Sequence, residues 1–293
     1  MERAESAETF RRSDFQSMQP WWFVHLGWLY GGMLVAVFLA VATLETHRPR
    51  RALGIPTGRR WLLNGFFLVL GDATTSLVFR VGAVALAFTL RKSGYGVLNL
   101  PWLPALHQAV LTFLVLDFVQ YLSHYLRHAV PLLWRLHQVH HSDRDIDLST
   151  GVRFHPGEVL FTQGMQLLAI AATAPPPAVV ACFELCNIVQ ALISHGNITL
   201  PQSLERTLGF VLVTPERHRI HHSKEGADQR SNLAVLFSFW DRLFHTNRQN
   251  PRTGEDRLQF GIEEVTAAES VRPLTLLSLP FLPRVDSSGD DTV

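Results

Sequence analysis

Fourteen histidines stand among 293 residues, and ten of them fall in short groups whose spacing could hold metal. His124 and His128 form an H-x3-H pair. His137, His140 and His141 form H-x2-H-H, and His218, His221 and His222 repeat that pattern. His155 stands in Arg-Phe-His-Pro and His195 in His-Gly-Asn. On a helix, positions i, i+3 and i+4 share one face with Cβ atoms about 5–6 Å apart, so each group is expected to aim its imidazoles at one point. Imidazolium rings so placed would repel, which leaves neutral rings sharing metal as the chemistry the cluster serves. One structural zinc takes four ligands, and eight to ten histidines are enough for two metals with open positions. Imidazole suits zinc, copper, iron and nickel alike, so spacing does not name the metal. His25, His47 and His107 lack a partner at ligand spacing and read as interfacial or core residues, and the role of His245 stays open.

The elements that must position these residues are apolar and long. From Trp22 to Leu44 the chain carries no formal charge, enough helix to cross a hydrocarbon core of about 30 Å. Trp21, Trp22, Trp28 and Tyr30 crowd its start like an interfacial aromatic belt. A second apolar stretch covers Trp61 to Leu90, interrupted by Asp72 and Arg80, and reads either as one long tilted helix or as a broken one. A third covers about Leu103 to Ser123 and contains Asp117. A fourth, Val159 to Ser194, is split by Pro175, Pro176 and Pro177 and reads as a helical hairpin with the prolines at its tip. The expected fold is therefore all-α: a polytopic membrane helical bundle of about four to five spans, including the hairpin, with a cytosolic histidine-rich metal-binding cap. The loop holding Arg48, Arg50, Arg51, Arg59 and Arg60 argues that its side faces the cytoplasm, although Arg91 and Lys92 then fall outside. The expected organisation is a polar segment 1–20 without signal-peptide character, N-terminal transmembrane helices over 21–100, a catalytic domain over 101–250 and a C-terminal tail over 251–293 whose last residues, 285–293, are disordered.

Composition excludes several classes. Only 17% of residues are charged, yet the mean hydropathy is a mild +0.12, the average of very apolar stretches and very polar ones. Nineteen Phe and seven Trp argue against disorder. Two cysteines, Cys182 and Cys186, do not make a disulfide scaffold. A net charge of +1 argues against a nucleic-acid partner.

The ordered motifs resemble the fatty acid hydroxylase superfamily, membrane oxygenases that include sterol desaturases, sterol methyl oxidases and sphingolipid hydroxylases. The matching text is Asp117-x3-Tyr121-x2-His124-x3-His128, His137-x2-His140-His141 and Arg153-Phe154-His155-Pro156-x-Glu158. It continues through His195-x-Asn197, Thr214-Pro215-x2-His218-Arg219-Ile220-His221-His222, Asn232 and Trp240-Asp241-Arg242-Leu243-Phe244-x-Thr246. His245 departs from the pattern, which usually has glycine there. The resemblance implies two iron ions, with zinc a metal the purified protein could also carry, and O2 as co-substrate for oxidising a lipid C–H bond by hydroxylation or desaturation. The ligands it implies are His124, His128, His137, His140, His141, His195, His218, His221 and His222, with His155 as a tenth.

Beside this set, Asp117 lies two turns before His124 in an apolar run and is expected to hydrogen-bond a ligating imidazole, since a lone buried carboxylate is costly. Glu158 and Asp241 are further candidates to support ligands, Asp241 being equally readable as an ion pair with Arg242 or a helix cap. Glu184 could support a ligand or be a buried hydrogen-bonding residue. The substrate is expected to be a membrane lipid entering sideways from the bilayer. Electrons are expected from a separate ferredoxin or cytochrome b5-type donor with its reductase. His155-Pro156-Gly157 lacks the second histidine and compact domain that a haem site of its own would need, and no Gly-rich dinucleotide fingerprint appears. Arg127, Arg135, Arg144, Arg153, Arg217 and Arg219 could form a docking face for an acidic donor or a basic face near anionic lipid. Two other functions compete: a membrane zinc hydrolase, against which His-Glu-x-x-His is absent, and a metal transporter or store, against which the histidines lie beyond helix ends.

Overall fold

The computed structural model describes residues 21–283, with side chains from residue 27 onward except residue 256. The segment 1–20, the tail 285–293 and the side chains of Trp21, Trp22 and His25 lie outside the described residues. Those described are helical and form no strand, only isolated bridges between Leu212 and Phe237 and between Ser223 and Phe260.

Helix α1 spans Trp21–His47. Helix α2 (Thr57–Phe79) starts behind Pro56 and stops at Arg80, whose left-handed φ of 54° closes the last turn by donating its N–H to Ser76. Helix α3 (Ala83–Lys92) follows at once. The 61–90 stretch is thus broken, yet its two helices run on from the cap to the far tip. Asn64 of α2 bonds Ser149 at the cap, while Leu98, just after α3, bonds the Thr173 carbonyl at the far tip. Helix α4 (Ala105–Ala129) returns to the cap and ends before Pro131, which opens α5 (Pro131–His141). A 3-10 turn at Leu148–Val152 leads to α6 (Pro156–Thr173), and Ala174, Pro175 and Pro176 turn the chain into α7 (Pro177–Ser194). At that tip the chain at Gly96 comes so close that a Cβ would lie 2.2 Å from the Cβ of Ala174, and its φ of 101° also demands glycine.

Among the described residues, four segments are long and apolar enough to cross a membrane: Gly27–His47, Thr57–Lys92, Ala105–Ala129 and Pro177–Ser194. Trp28, Leu62, Leu77 and Leu106 on these segments face outward, as lipid-facing side chains do. The hairpin arms α6 and α7 do not pack along each other; α3 and α4 touch both. Near the tip, Ala83 and Ala87 of α3 and Leu116 of α4 seal the gap with Leu167, Ile170, Val180 and Phe183 from the arms. Toward the cap the arms diverge.

The cap is locked to the helices by buried polar contacts. Arg60, 0% exposed at the start of α2, pairs with Asp143 at 2.9 Å and with Asp147. Arg153, also 0% exposed, donates to the carbonyls of Val139 and Ser270 and to the Ser142 hydroxyl, each at 2.8 Å. Residues 258–282, which the sequence assigns to the tail, are instead packed: Leu276 and Leu279 join Leu63, Phe67 and Val139 in one apolar cluster. The remaining cap helices are short: α8 (Gln202–Gly209), α9 (Pro215–His221), α10 (Gly226–Gln229), α11 (Phe239–Leu243) and α12 (Pro273–Ser278).

Candidate metal centre

Nine histidines converge where α4, α5, α7 and α9 meet the cap. They form two groups. His124, His128, His137, His141 and His221 make one, and His140, His195, His218 and His222 make the other, the ligand atoms of each group lying within 4.8 Å of one another. The groups abut, with the His141 and His222 rings stacked at 4.6 Å. The expectation that each H-x2-H-H aims at one point is corrected here. In both motifs the i,i+4 pair serves one group and the histidine between them the other: His137 and His141 against His140, and His218 and His222 against His221. Residues at i and i+4 are offset by about 40° around the axis whereas i+3 lies about 60° to the other side, so one turn of helix can feed two neighbouring points.

The donor atoms fit metal. In the five-histidine group the Nε2 atoms of all five rings are buried without a hydrogen-bond partner. Three of those rings are fixed through the other nitrogen: His124 Nδ1 to the Leu233 carbonyl (2.8 Å), His221 Nδ1 to the Ser231 carbonyl (3.0 Å) and His137 Nδ1 to Glu158 (2.7 Å). In the four-histidine group the Nε2 atom of His195 faces those of His218, His222 and His140 at 2.8, 3.2 and 3.3 Å. His195 Nδ1 donates to the Ala191 carbonyl at 2.7 Å, which leaves one lone pair on Nε2 to face three other rings. One lone pair cannot serve three donors, but a cation at the shared point takes all four. Burial drives the imidazoles toward neutrality: His195 is pushed down to about 4, and His140, His141, His218, His221 and His222 are lowered well below the ordinary range by desolvation and then mainly by neighbouring rings. His137 is lowered by desolvation, with Glu158 opposing.

His155 is not with them. Its Nδ1 accepts the Gly157 N–H at 3.1 Å and caps α6. His245 is exposed in a turn with φ 59°, a left-handed backbone that explains why glycine is the usual residue there. Of the three carboxylates only Glu158 touches an imidazole, and it also pairs with buried Arg127. Asp117 does not bond an imidazole, contrary to expectation. It accepts from Trp240 Nε1 at 2.8 Å and from the Phe237 N–H at 3.2 Å. Asp241 makes neither the ion pair nor the cap considered for it; it accepts from the Leu233 and Ala234 N–H groups and the Thr246 hydroxyl. Both carboxylates therefore hold the 231–237 loop whose carbonyls orient His124 and His221. Sequence reading missed those carbonyls because a backbone acceptor has no residue signature. It also missed Phe154, stacked on His140 at 4.6 Å, and Gly151, where a Cβ would meet the Ala191 carbonyl at 2.8 Å and His195 Nδ1 at 3.1 Å.

Residues 109–246 match the fatty acid hydroxylase family, and all nine clustered histidines lie inside that span. This segment of the chain belongs to the fatty acid hydroxylase superfamily. It is 30% identical over 197 residues to alkylglycerol monooxygenase of Xenopus tropicalis, covering 64% of this chain and 43% of that one. It is 29% identical over 149 residues to ornithine lipid hydroxylase OlsE of Rhizobium tropici, covering 51% and 44%. It is 25% identical over 150 residues to methylsterol monooxygenase 2-2 of Arabidopsis thaliana, covering 50% and 54%. The chain thus spans about half the length of these relatives. No solved structure matches it.

The histidines close the head of a cavity of about 400 Å³, with His124, His137, His140, His195 and His218 in its wall. The cavity runs down between the diverging arms α6 and α7 and is walled also by α1, α2 and α4. The arginine face considered for docking is largely consumed by the fold. Arg127, Arg153 and Arg219 are buried, Arg144 donates to the Val265 carbonyl and Arg217 to Asn247.

Proposed function

We propose that the chain is an O2-dependent lipid oxidoreductase that hydroxylates a C–H bond of a membrane lipid at a histidine-ligated pair of iron ions. The observation that carries this reading is the two abutting sets of buried, neutral imidazole nitrogens at the head of a cavity between membrane helices. The five-histidine group would hold one ion and the four-histidine group the other. Iron supplies there the redox chemistry with O2 that side chains lack. The balance is R–H + O2 + two electrons + two protons giving R–OH + H2O, with electrons from a separate ferredoxin or cytochrome-type protein. The names of the relatives, monooxygenases and hydroxylases, support oxygen insertion.

The chain's own residues do the positioning. Glu158 accepts the Nδ1 proton of His137 and fixes that ring's tautomer, leaving Nε2 for the metal. The Leu233, Ser231 and Ala191 carbonyls do the same for His124, His221 and His195. The sealed tip and the apolar arms keep bulk water from the cavity and admit a lipid laterally. Arg48, Arg50, Arg51 and Arg59 lie on the cap side, which supports a cytoplasmic cap. The test is metal analysis of anaerobically purified protein, then O2 uptake with a reductant and lipid extract. Two irons per chain and O2-dependent lipid oxidation are expected; tight zinc without O2 uptake overturns the reading.

A further inference from the structure

The end of the cavity away from the histidines is polar at a depth where a membrane protein has reason to be apolar. Glu184 and Asn187 of α7, Gln166 of α6, Asp72 of α2 and Tyr30 of α1 all line it. Polar groups inside a bilayer are costly unless bonded, so such a set calls for an occupant. Two atoms here lack one: Nε2 of Gln166, a residue only 5% exposed, and Oδ1 of Asn187. Neither feature belongs to the metal centre.

We infer that this polar set anchors a hydrogen-bonding group of the lipid, a hydroxyl or similar donor, and so fixes by distance which carbon lies at the metal centre. The inference rests on the lipid-oxidation reading above. Carboxyl and amide oxygens accept from such a group, and the Gln166 amide, which sits beside the Glu184 carboxyl, can donate to it. No unpaired cation stands among them, since Arg127 is committed to Glu158. A fatty acid carboxylate would meet two acids and no counterion, which selects an alcohol over an acid of the same length.

The spacing gives the ruler. On α7, Glu184, Asn187, Ile188 and Ala191 line the cavity on one face that leads up to His195. From Glu184 to His195 the rise is about 16 Å, and from Gln166 to Glu158 on α6 about 12 Å, at 1.5 Å per residue. An extended chain advances about 1.25 Å per carbon for bonds of about 1.5 Å. The C–H bond at the metals should then lie about ten to thirteen carbons from the anchored group.

The test uses the full-length, metal-loaded protein in detergent with radiolabelled octadecanol, octadecanoate and octadecane. Octadecanol should bind at least about tenfold more tightly than either of the others, the effect of one or two buried hydrogen bonds. Glu184→Leu and Gln166→Leu should each remove that preference with metal content unchanged, while Glu184→Gln should keep most of it. Hexadecanol, octadecanol and eicosanol should be oxidised at the same carbon counted from the hydroxyl. Equal binding of octadecanol and octadecane by the native protein, or a site counted from the methyl end, overturns the anchor. Alcohol-selective binding without any oxidation supports the anchor and sinks the oxidase reading, whereas oxidation indifferent to the hydroxyl does the reverse.

Discussion

The two histidine groups are built from the same motif and supported in different ways. In the five-histidine group, three rings are turned by partners outside the group: Glu158 and the carbonyls of Leu233 and Ser231. In the four-histidine group only His195 is held this way, by Ala191, and the Nδ1 atoms of His140, His218 and His222 have no partner. His140 is steadied instead by the face of Phe154, and His222 by stacking on His141. Three of five rings in one group, and one of four in the other, are oriented by the fold itself. Partners on the remote nitrogen set tautomer and ring direction, and their loss typically weakens metal binding about 10–100-fold. The difference follows from position. His124, His221 and His137 face the 231–237 loop and α6, which offer acceptors, whereas the remote nitrogens of His140, His218 and His222 meet none.

The largest effect should come from removing a ligand at the weakly supported site. His140→Ala is expected to cut bound iron from two per chain to one and lipid oxidation to background, while His47→Ala, exposed at the end of α1, leaves both unchanged; equal loss in the two variants would break the distinction between cluster and bystander. Next comes a change that should strike both groups together. Arg60→Met strands Asp143 and Asp147, both 1% exposed, and should destabilise the protein by about 3–5 kcal/mol in a denaturant titration, with both metals lost in parallel. Glu158→Gln should sharpen the comparison by lowering affinity about 10–100-fold in the five-histidine group alone, read as one weak and one unchanged metal in a chelator titration. In the native protein the same titration should empty the four-histidine group first. The smallest effect belongs to His155→Ala: loss of a helix cap, about 1 kcal/mol of stability, with metal content intact. A missing metal in that variant would restore His155 to the ligand set.

How much of this was legible in the sequence varies with how local the signal is. The run from Trp22 to Leu44 and the prolines at 175–177 declare helix and hairpin because apolar length and proline geometry act within one segment. The break at Arg80 was visible only as a choice between one helix and two; the reversal of φ that makes it depends on what α3 packs against. The histidines were legible as a cluster because i,i+4 spacing survives translation into any helix.

The sequence by itself determined the class: long apolar helices fit to cross a membrane, and histidines grouped at ligand spacing. Tertiary structure decided which ring joins which group, since the split of each H-x2-H-H needs rings from other helices to complete two separate points. It also decided that Asp117 and Asp241 reach the metal centre through the 231–237 backbone rather than through an imidazole, and that Glu158 alone touches a ring. A carboxylate's partner is whichever donor the fold brings within about 3 Å, and that donor can be a backbone N–H more than a hundred residues away in sequence.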